Sequence, residues 1–168
     1  MRTKMRTASL IVGTILVLDQ ATKALVAHTL ALHESVPVIE SFFHLTYERN
    51  TGAAFSLFAQ TPAWFRQPFF LIMTSVAVVA LILFLRQVEG KNRLLVVAIA
   101  AILGGAIGNF VDRILHGEVT DFLLFHWRGY YWPAFNVADS CITLGVIGLL
   151  WSSMQGNRPK GKDSLFAS

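Results

Sequence analysis

Apolar residues dominate four stretches of the chain, at about 7–27, 67–85, 94–111 and 134–154. Each approaches the roughly 20 residues that an α-helix needs to cross the hydrocarbon core of a bilayer. Between the first two, FFHLTYERNTGAAFSLF changes period: Phe43, Leu45 and Tyr47 alternate with His44, Thr46 and Glu48, and Phe55 and Leu57 continue the repeat after Asn50-Thr51-Gly52. That pattern predicts a β-hairpin. The neighbouring TPAWFRQP, with Trp64 and Phe65 beside Arg66, suits a short helix or loop at a membrane surface. A second extended stretch, EVTDFLLFHWRGYYWPAF, offers a turn at Arg128-Gly129, and Trp127, Tyr130, Tyr131 and Trp132 supply an aromatic interface girdle.

Composition agrees with a membrane protein. The 168 residues are 54% hydrophobic and 14% charged, outside the range of ordinary soluble domains. No Pro/Ser-rich linker or internal repeat divides the chain, so a single membrane-embedded domain over 1–168 is expected. The net charge of +4 does not point to nucleic acid, because the basic residues form short clusters beside apolar stretches and no continuous basic face. They report orientation instead. Arg2, Lys4 and Arg6 precede the first span, Arg86, Lys91 and Arg93 fill the loop between the second and third, and Arg158, Lys160 and Lys162 follow the fourth. The opposite segments, about 28–65 and 116–132, carry only Arg49 and Arg128, with Lys23, Arg66 and Arg113 near the boundaries. Both termini, including a tail at about 156–168, are therefore expected on the cytoplasmic side. The basic start resembles a signal peptide, but Asp19 and Lys23 interrupt its apolar run and no A-x-A-like site follows cleanly, so the segment is read as retained. The predicted fold is integral membrane and mainly α: four transmembrane helices, a small extracytoplasmic β-sheet cradle, and a short surface helix or loop.

Against this background the polar residues of FNVADS, at the start of the fourth span, demand a reason. A carboxylate at the centre of a membrane helix costs at least about 2.5 kcal/mol on insertion scales, so it normally has a partner or a task. Asn136 and Asp139 are three apart and look toward one interior, while Asp121 lies in the extended segment just before them. Asp19 and Lys23, four apart, share a helix face and can pair as a structural couple or join the chemistry. GGAIGNFVDR sets Asn109, Asp112 and Arg113 at the outer end of the third span, and Gly104 and Gly108 form a GxxxG pattern for close helix packing. All these groups are predicted at one membrane depth.

Two carboxylates around one water suit peptide hydrolysis. If Asp121 and Asp139 meet, mutual repulsion leaves one protonated and one charged, so one takes a proton from water while the other donates to the substrate carbonyl. That chemistry requires neither metal nor covalent intermediate, and no cofactor is expected. The field at a helix N-terminus favours Asp139 as base, but a coupled pair titrates as a unit and the roles can be reversed. Other hydrolase signatures are missing: there is no HExxH, no GxSxG, and the five histidines lack zinc spacing. His44 and His126 read as interface or strand residues. Cys141, the single cysteine, reads as a small core residue with no adjacent base.

These motifs resemble the bacterial lipoprotein signal peptidases, also called signal peptidase II. The resemblance covers nearly the whole chain, in order: VLDQATK with Asp19 and Lys23, ERNTGAAFS with Asn50 and Gly52, GGAIGNFVDR, VTDF with Asp121, and FNVADS. It implies an inner-membrane aspartyl endopeptidase with Asp121 and Asp139 as the catalytic pair. Its implied substrate is a prolipoprotein, cleaved just before a lipobox cysteine that already carries a diacylglyceryl group. The resemblance also implies four transmembrane helices with an outer β cradle and a surface helix. Asn50, Asn109, Arg113 and Asn136 are carried over as site residues, with Asp19, Lys23, Asp112 and Gly52 in support. A monomer in the inner membrane, its site at the periplasmic face, is expected.

Two rivals remain from the residues alone. Carboxylates, Lys and Arg in membrane helices also mark a proton-coupled transporter or channel, but such a path should continue toward the cytoplasm, where the inner halves of the second, third and fourth spans are almost wholly apolar. A noncatalytic chaperone or assembly subunit would use the polar cluster as helix glue.

Overall fold

The computed structural model describes residues 2–52, 58, 61–90 and 92–156. Four helices are long and apolar enough to cross a membrane: α1 (Arg2–Thr29), α2 (Ala63–Gln87), α3 (Arg93–His116) and α4 (Val137–Gly156). The first three extend beyond their predicted apolar spans because the polar flanks continue the helical hydrogen bonding. In particular, Ala63 to Pro68 form the opening of α2, so most of TPAWFRQP enters the spanning helix and does not lie apart from it. By contrast, α4 starts later than expected, since Phe135 is engaged in an isolated bridge to Leu123. Phe55, Leu57, Lys91 and the basic tail with Arg158, Lys160 and Lys162 lie outside the described residues.

The central helix is α3, which packs against the other three. Glycines make this possible. Without a hydrophobic driving force between helices in lipid, association rests on close packing and hydrogen bonds, and small residues let backbones approach. Gly104 receives Ile15 and Gly108 receives Asp19, so the two ends of the predicted GxxxG face α1 at matching four-residue intervals. A Cβ on Gly108 would stand 2.6 Å from Asp19 Oδ2. On another face, Gly105 lies so close to the Ala138 carbonyl that a side chain there would overlap α4. Farther from the sheet, Ala8, Leu85, Val96, Ile99, Ala100 and Leu103 form a dry cluster. At the far end of α2, Lys4 donates from Nζ to the carbonyls of Val88 (2.6 Å) and Arg86 (3.2 Å), satisfying the end of that helix.

Strands β1 (Ser35–Ile39), β2 (Phe43–Asn50), β3 (Val119–Trp127) and β4 (Tyr130–Tyr131) form an antiparallel sheet in that order. The turn between β3 and β4 falls on Arg128 and Gly129, whose φ angles of 49° and 85° suit a two-residue hairpin matched to strand twist. Trp127, Tyr130, Tyr131 and Trp132 are exposed around it, as expected for an interface girdle. One feature of β2 departs from simple alternation. Leu45 faces Leu123 but Glu48 faces Asp121, so β2 carries one extra residue and bulges at Thr46 and Tyr47. Both are buried, and Tyr47 packs with Val26 and Phe122, fastening the sheet to the end of α1.

Candidate active site

Polar side chains meet where the sheet joins the bundle, and they separate into two groups. The first surrounds Lys23, whose Nζ lies 2.8 Å from Asp19 Oδ2, 3.0 Å from Asp112 Oδ2 and 3.0 Å from Asn109 Oδ1. Gln20 adds a donor, with Nε2 2.8 Å from Asp112 Oδ1. Backbone amides complete the set: Ala138 N donates to Asp19 Oδ1 (2.9 Å), and Thr120 N donates to Asp112 Oδ2 (3.1 Å), the oxygen that Lys23 also contacts. Asp19 thus places an anion against the first turn of α4, whose free amides and dipole favour it. Asp112 does the same work for the start of β3. This network joins α1, α3, α4 and β3: one ammonium is shared by two carboxylates, and neutral amide donors satisfy the rest.

The second group holds Asp121 and Asp139. Asp121 is 2% exposed. Its Oδ2 accepts from Asn50 Nδ2 (2.9 Å) and its Oδ1 from Asn136 Nδ2 (2.8 Å). The Asn50 amide is itself fixed, since its Oδ1 accepts from Gly52 N at 2.9 Å. Asp139 Oδ1 accepts from Asn109 Nδ2 at 2.7 Å. Asn136 and Asp139 also exchange bonds across the start of α4: Asp139 N donates to Asn136 Oδ1 (2.9 Å) and Asn136 N to Asp139 Oδ2 (3.3 Å). That reciprocal pair is the capping-box arrangement with amide and carboxylate side chains. It explains the spacing of three in FNVADS. One residue, Asn136, therefore grips both acids while being itself wholly buried.

Local folding puts Asn136 there. The Phe135 carbonyl accepts from the amides of Phe122 (3.0 Å) and Leu123 (2.8 Å), and Phe135 N donates to Leu123 O. Phe135 also stacks on Phe125, which stacks on Phe43. The approach to α4 is thereby added to β3 beside Asp121. Arg113 makes no hydrogen bond to either acid among the described residues but is close enough to feel the charge of both; its Nη2 donates to Gly52 O (3.1 Å), and the guanidinium lies over the Phe70 ring. It ties the turn after β2 to α3 and α2.

Burial, reinforced by the nearby charge of Asp139, pushes the Asp121 carboxyl up to about 7. The hydrogen bonds from Asn50 and Asn136 and the more distant Lys23 pull in the opposite direction but do not prevail. At neutral pH such a group is poised between acid and anion, which proton transfer in both directions requires. All the residues expected at the site are brought to this junction, although Asp19, Lys23 and Asp112 bond to each other, to Gln20 and Asn109 and to backbone, not to the acid pair. Two contributors went unpredicted. Gln20 sits within VLDQATK with nothing but its position on the helix to distinguish it, and Thr120 acts through its backbone, which leaves no trace in side-chain identity. Cys141 is only half-buried in α4.

Four membrane-length helices carrying a sheet that delivers an acid to the start of α4 define a multi-pass membrane protein with the carboxylate arrangement of an aspartic peptidase. Residues 11–155 match the family model for signal peptidase II, and the chain belongs to that family. It is 53% identical over 142 residues to the lipoprotein signal peptidase of Syntrophotalea carbinolica, covering 84% of this chain and 87% of that one. The lipoprotein signal peptidase of Geobacter metallireducens is 43% identical across 98% of this chain and 100% of its own. A solved structure described as a bacterial membrane enzyme superposes with a TM-score of 0.84 at 35% identity, covering 95% of this chain and 94% of that one.

Proposed function

We propose that this protein is a membrane aspartic endopeptidase that removes the signal peptide from diacylglyceryl-modified prolipoproteins, cutting before the lipidated cysteine. The observation that carries the reading is the shared hold of Asn136 on both acids, its side-chain amide donating to Asp121 and its backbone amide to the Asp139 carboxylate. In this mechanism Asp139 takes a proton from a water as its oxygen bonds to the scissile carbonyl carbon, and Asp121 gives its proton to the carbonyl oxygen. When the C–N bond breaks, Asp139 returns its proton to the leaving amine and the diol returns one to Asp121. The pair ends as it began.

The positive-inside distribution puts both termini in the cytoplasm and the acids at the periplasmic face of the inner membrane, where water and the scissile bond both reach them. A diacylated substrate arrives by partitioning, each buried CH₂ contributing about 0.8 kcal/mol, and enters laterally as a monomeric enzyme would allow. A transporter reading has less support, because the dry cluster around Ile99, Ala100 and Leu103 separates the acids from the polar groups at the other end of the bundle. The deciding experiment is a gel-shift time course with purified protein in detergent. The diacylated prolipoprotein is expected to be processed and its unlipidated form to persist; equal processing of the two would remove the lipid requirement.

A further inference from the structure

His44 on β2 and His126 on β3 face one another on the sheet, with their Nε2 atoms 3.0 Å apart and their rings nearly perpendicular. Both rings are held. Ser35 Oγ lies 3.2 Å from His44 Nδ1, and the Tyr131 ring stacks on His126 at 4.9 Å with an interplanar angle of 19°. Asp121 and His126 are five residues apart on one strand, so alternation puts the histidines on the face opposite the acid. The catalytic reading gives this pair no task.

The geometry points to a binding site for a borderline divalent transition ion, Cu²⁺ or Ni²⁺ above Zn²⁺, held by His44 Nε2 and His126 Nε2. At the metal–nitrogen distance of about 2.0 to 2.1 Å typical of imidazole, two nitrogens this close subtend an angle of about 90°. That is the cis angle of square-planar and octahedral ions, and imidazole suits both metals. A tetrahedral ion would need the rings to part slightly. Ser35 supplies the orienting hydrogen bond that ligating histidines normally make through their other nitrogen. In the metal-free protein the two rings share one proton, from one Nε2 to the other. If His44 is the donor, binding moves its proton to Nδ1, where Ser35 Oγ accepts it, and both Nε2 lone pairs turn to the ion without net proton release. The ion would then cross-link β2 and β3, the strands that carry Asn50 and Asp121.

The test uses the full chain without a polyhistidine tag, titrated with Cu²⁺ and followed by electron paramagnetic resonance and by thermal melting. One ion per chain with coupling to two ring nitrogens is expected, together with a rise in melting temperature. His44→Gln and His126→Gln preserve size and hydrogen bonding, and each should lower affinity at least tenfold. His33→Gln, at the separate His33–Glu48 pair, should bind like the wild type. Melting without metal establishes that each variant is folded. The site is overturned if the double variant His44→Gln/His126→Gln takes up as much Cu²⁺ as the wild type, or if His33→Gln loses it equally.

Discussion

The two carboxylate clusters of this protein meet at one junction and share Asn109, yet their partners differ in kind. Asp19 and Asp112 lie on Lys23, with Gln20 and the Ala138 amide on their other oxygens and the Thr120 amide sharing Asp112 Oδ2 with the ammonium. Asp121 and Asp139 are held by the neutral amides of Asn50, Asn109 and Asn136, and no cation bonds to either among the described residues. A cation in contact fixes a carboxylate as an anion and so as a part of the scaffold. Amide donors orient a carboxylate without neutralising it, so it can still exchange a proton near pH 7. In the proposed mechanism the same residue type becomes framework or reagent according to whether its partner carries charge.

The sharpest way to break that contrast is to neutralise the reagent pair while keeping its shape. Asp121→Asn and Asp139→Asn are each expected to lower the cleavage rate by at least about 10³-fold, the upper part of the range for loss of a positioned acid or base. Folding should survive. For Asp121→Asn the sign favours stability at high pH: the native carboxyl, raised to about 7, binds a proton between pH 4 and 7 that the unfolded chain has lost, so wild-type stability declines with pH through that window. The variant should therefore melt no lower than the wild type at pH 8, as a melt of both proteins will show. A well-folded variant with substantial turnover would remove the two-acid mechanism.

Neutralising the scaffold should do the reverse. Lys23→Met leaves Asp19 and Asp112 buried without their cation, and breaking a buried pair in this way costs about 3 to 5 kcal/mol. Stability should fall first, with activity following it; the double change Lys23→Met/Asp19→Asn, which removes an uncompensated charge, should recover part of the loss. Equal denaturation midpoints for wild type and Lys23→Met would mean that the network is not structural.

Much of this was legible from residue pattern because membranes enforce strict rules. Spans follow from length and apolarity, and the site from charges that have no reason to sit in lipid. The spacing of three in FNVADS and of four in GGAIG also translated directly into a capping pair and a helix contact. What did not translate were features set by pairing between distant segments. The bulge at Thr46 and Tyr47 depends on the register with β3, the late start of α4 on the bridge from Phe135 to Leu123, and the role of Gln20 on how α1 is rotated against α3. None of these is encoded in a local period. The attachment of Asp112 to the Asp19–Lys23 couple was likewise hidden, since it depends on how α3 is turned against α1.

The smallest expected effect tests the amide side of the comparison most finely. Asn50 donates to Asp121 Oδ2, and this bond stabilises the anion more than the acid, opposing the upward push of burial and of Asp139. In the proposed mechanism catalysis needs one proton on the pair, so kcat/KM should decline on the alkaline side as that proton leaves, with a midpoint near 7 that belongs to the pair as a whole. Asn50→Ala removes a stabiliser of the anion, so the proton should be held to higher pH and the alkaline limb should move upward by about one pH unit or less, one unit corresponding to about 1.4 kcal/mol. The rate at the optimum will also drop as Asp121 loses orientation, but a mere loss of orientation lowers the whole profile without displacing it. A limb that stays in place, or moves to lower pH, would show that Asn50 positions the substrate or the turn at Gly52 and does not set the ionisation of Asp121.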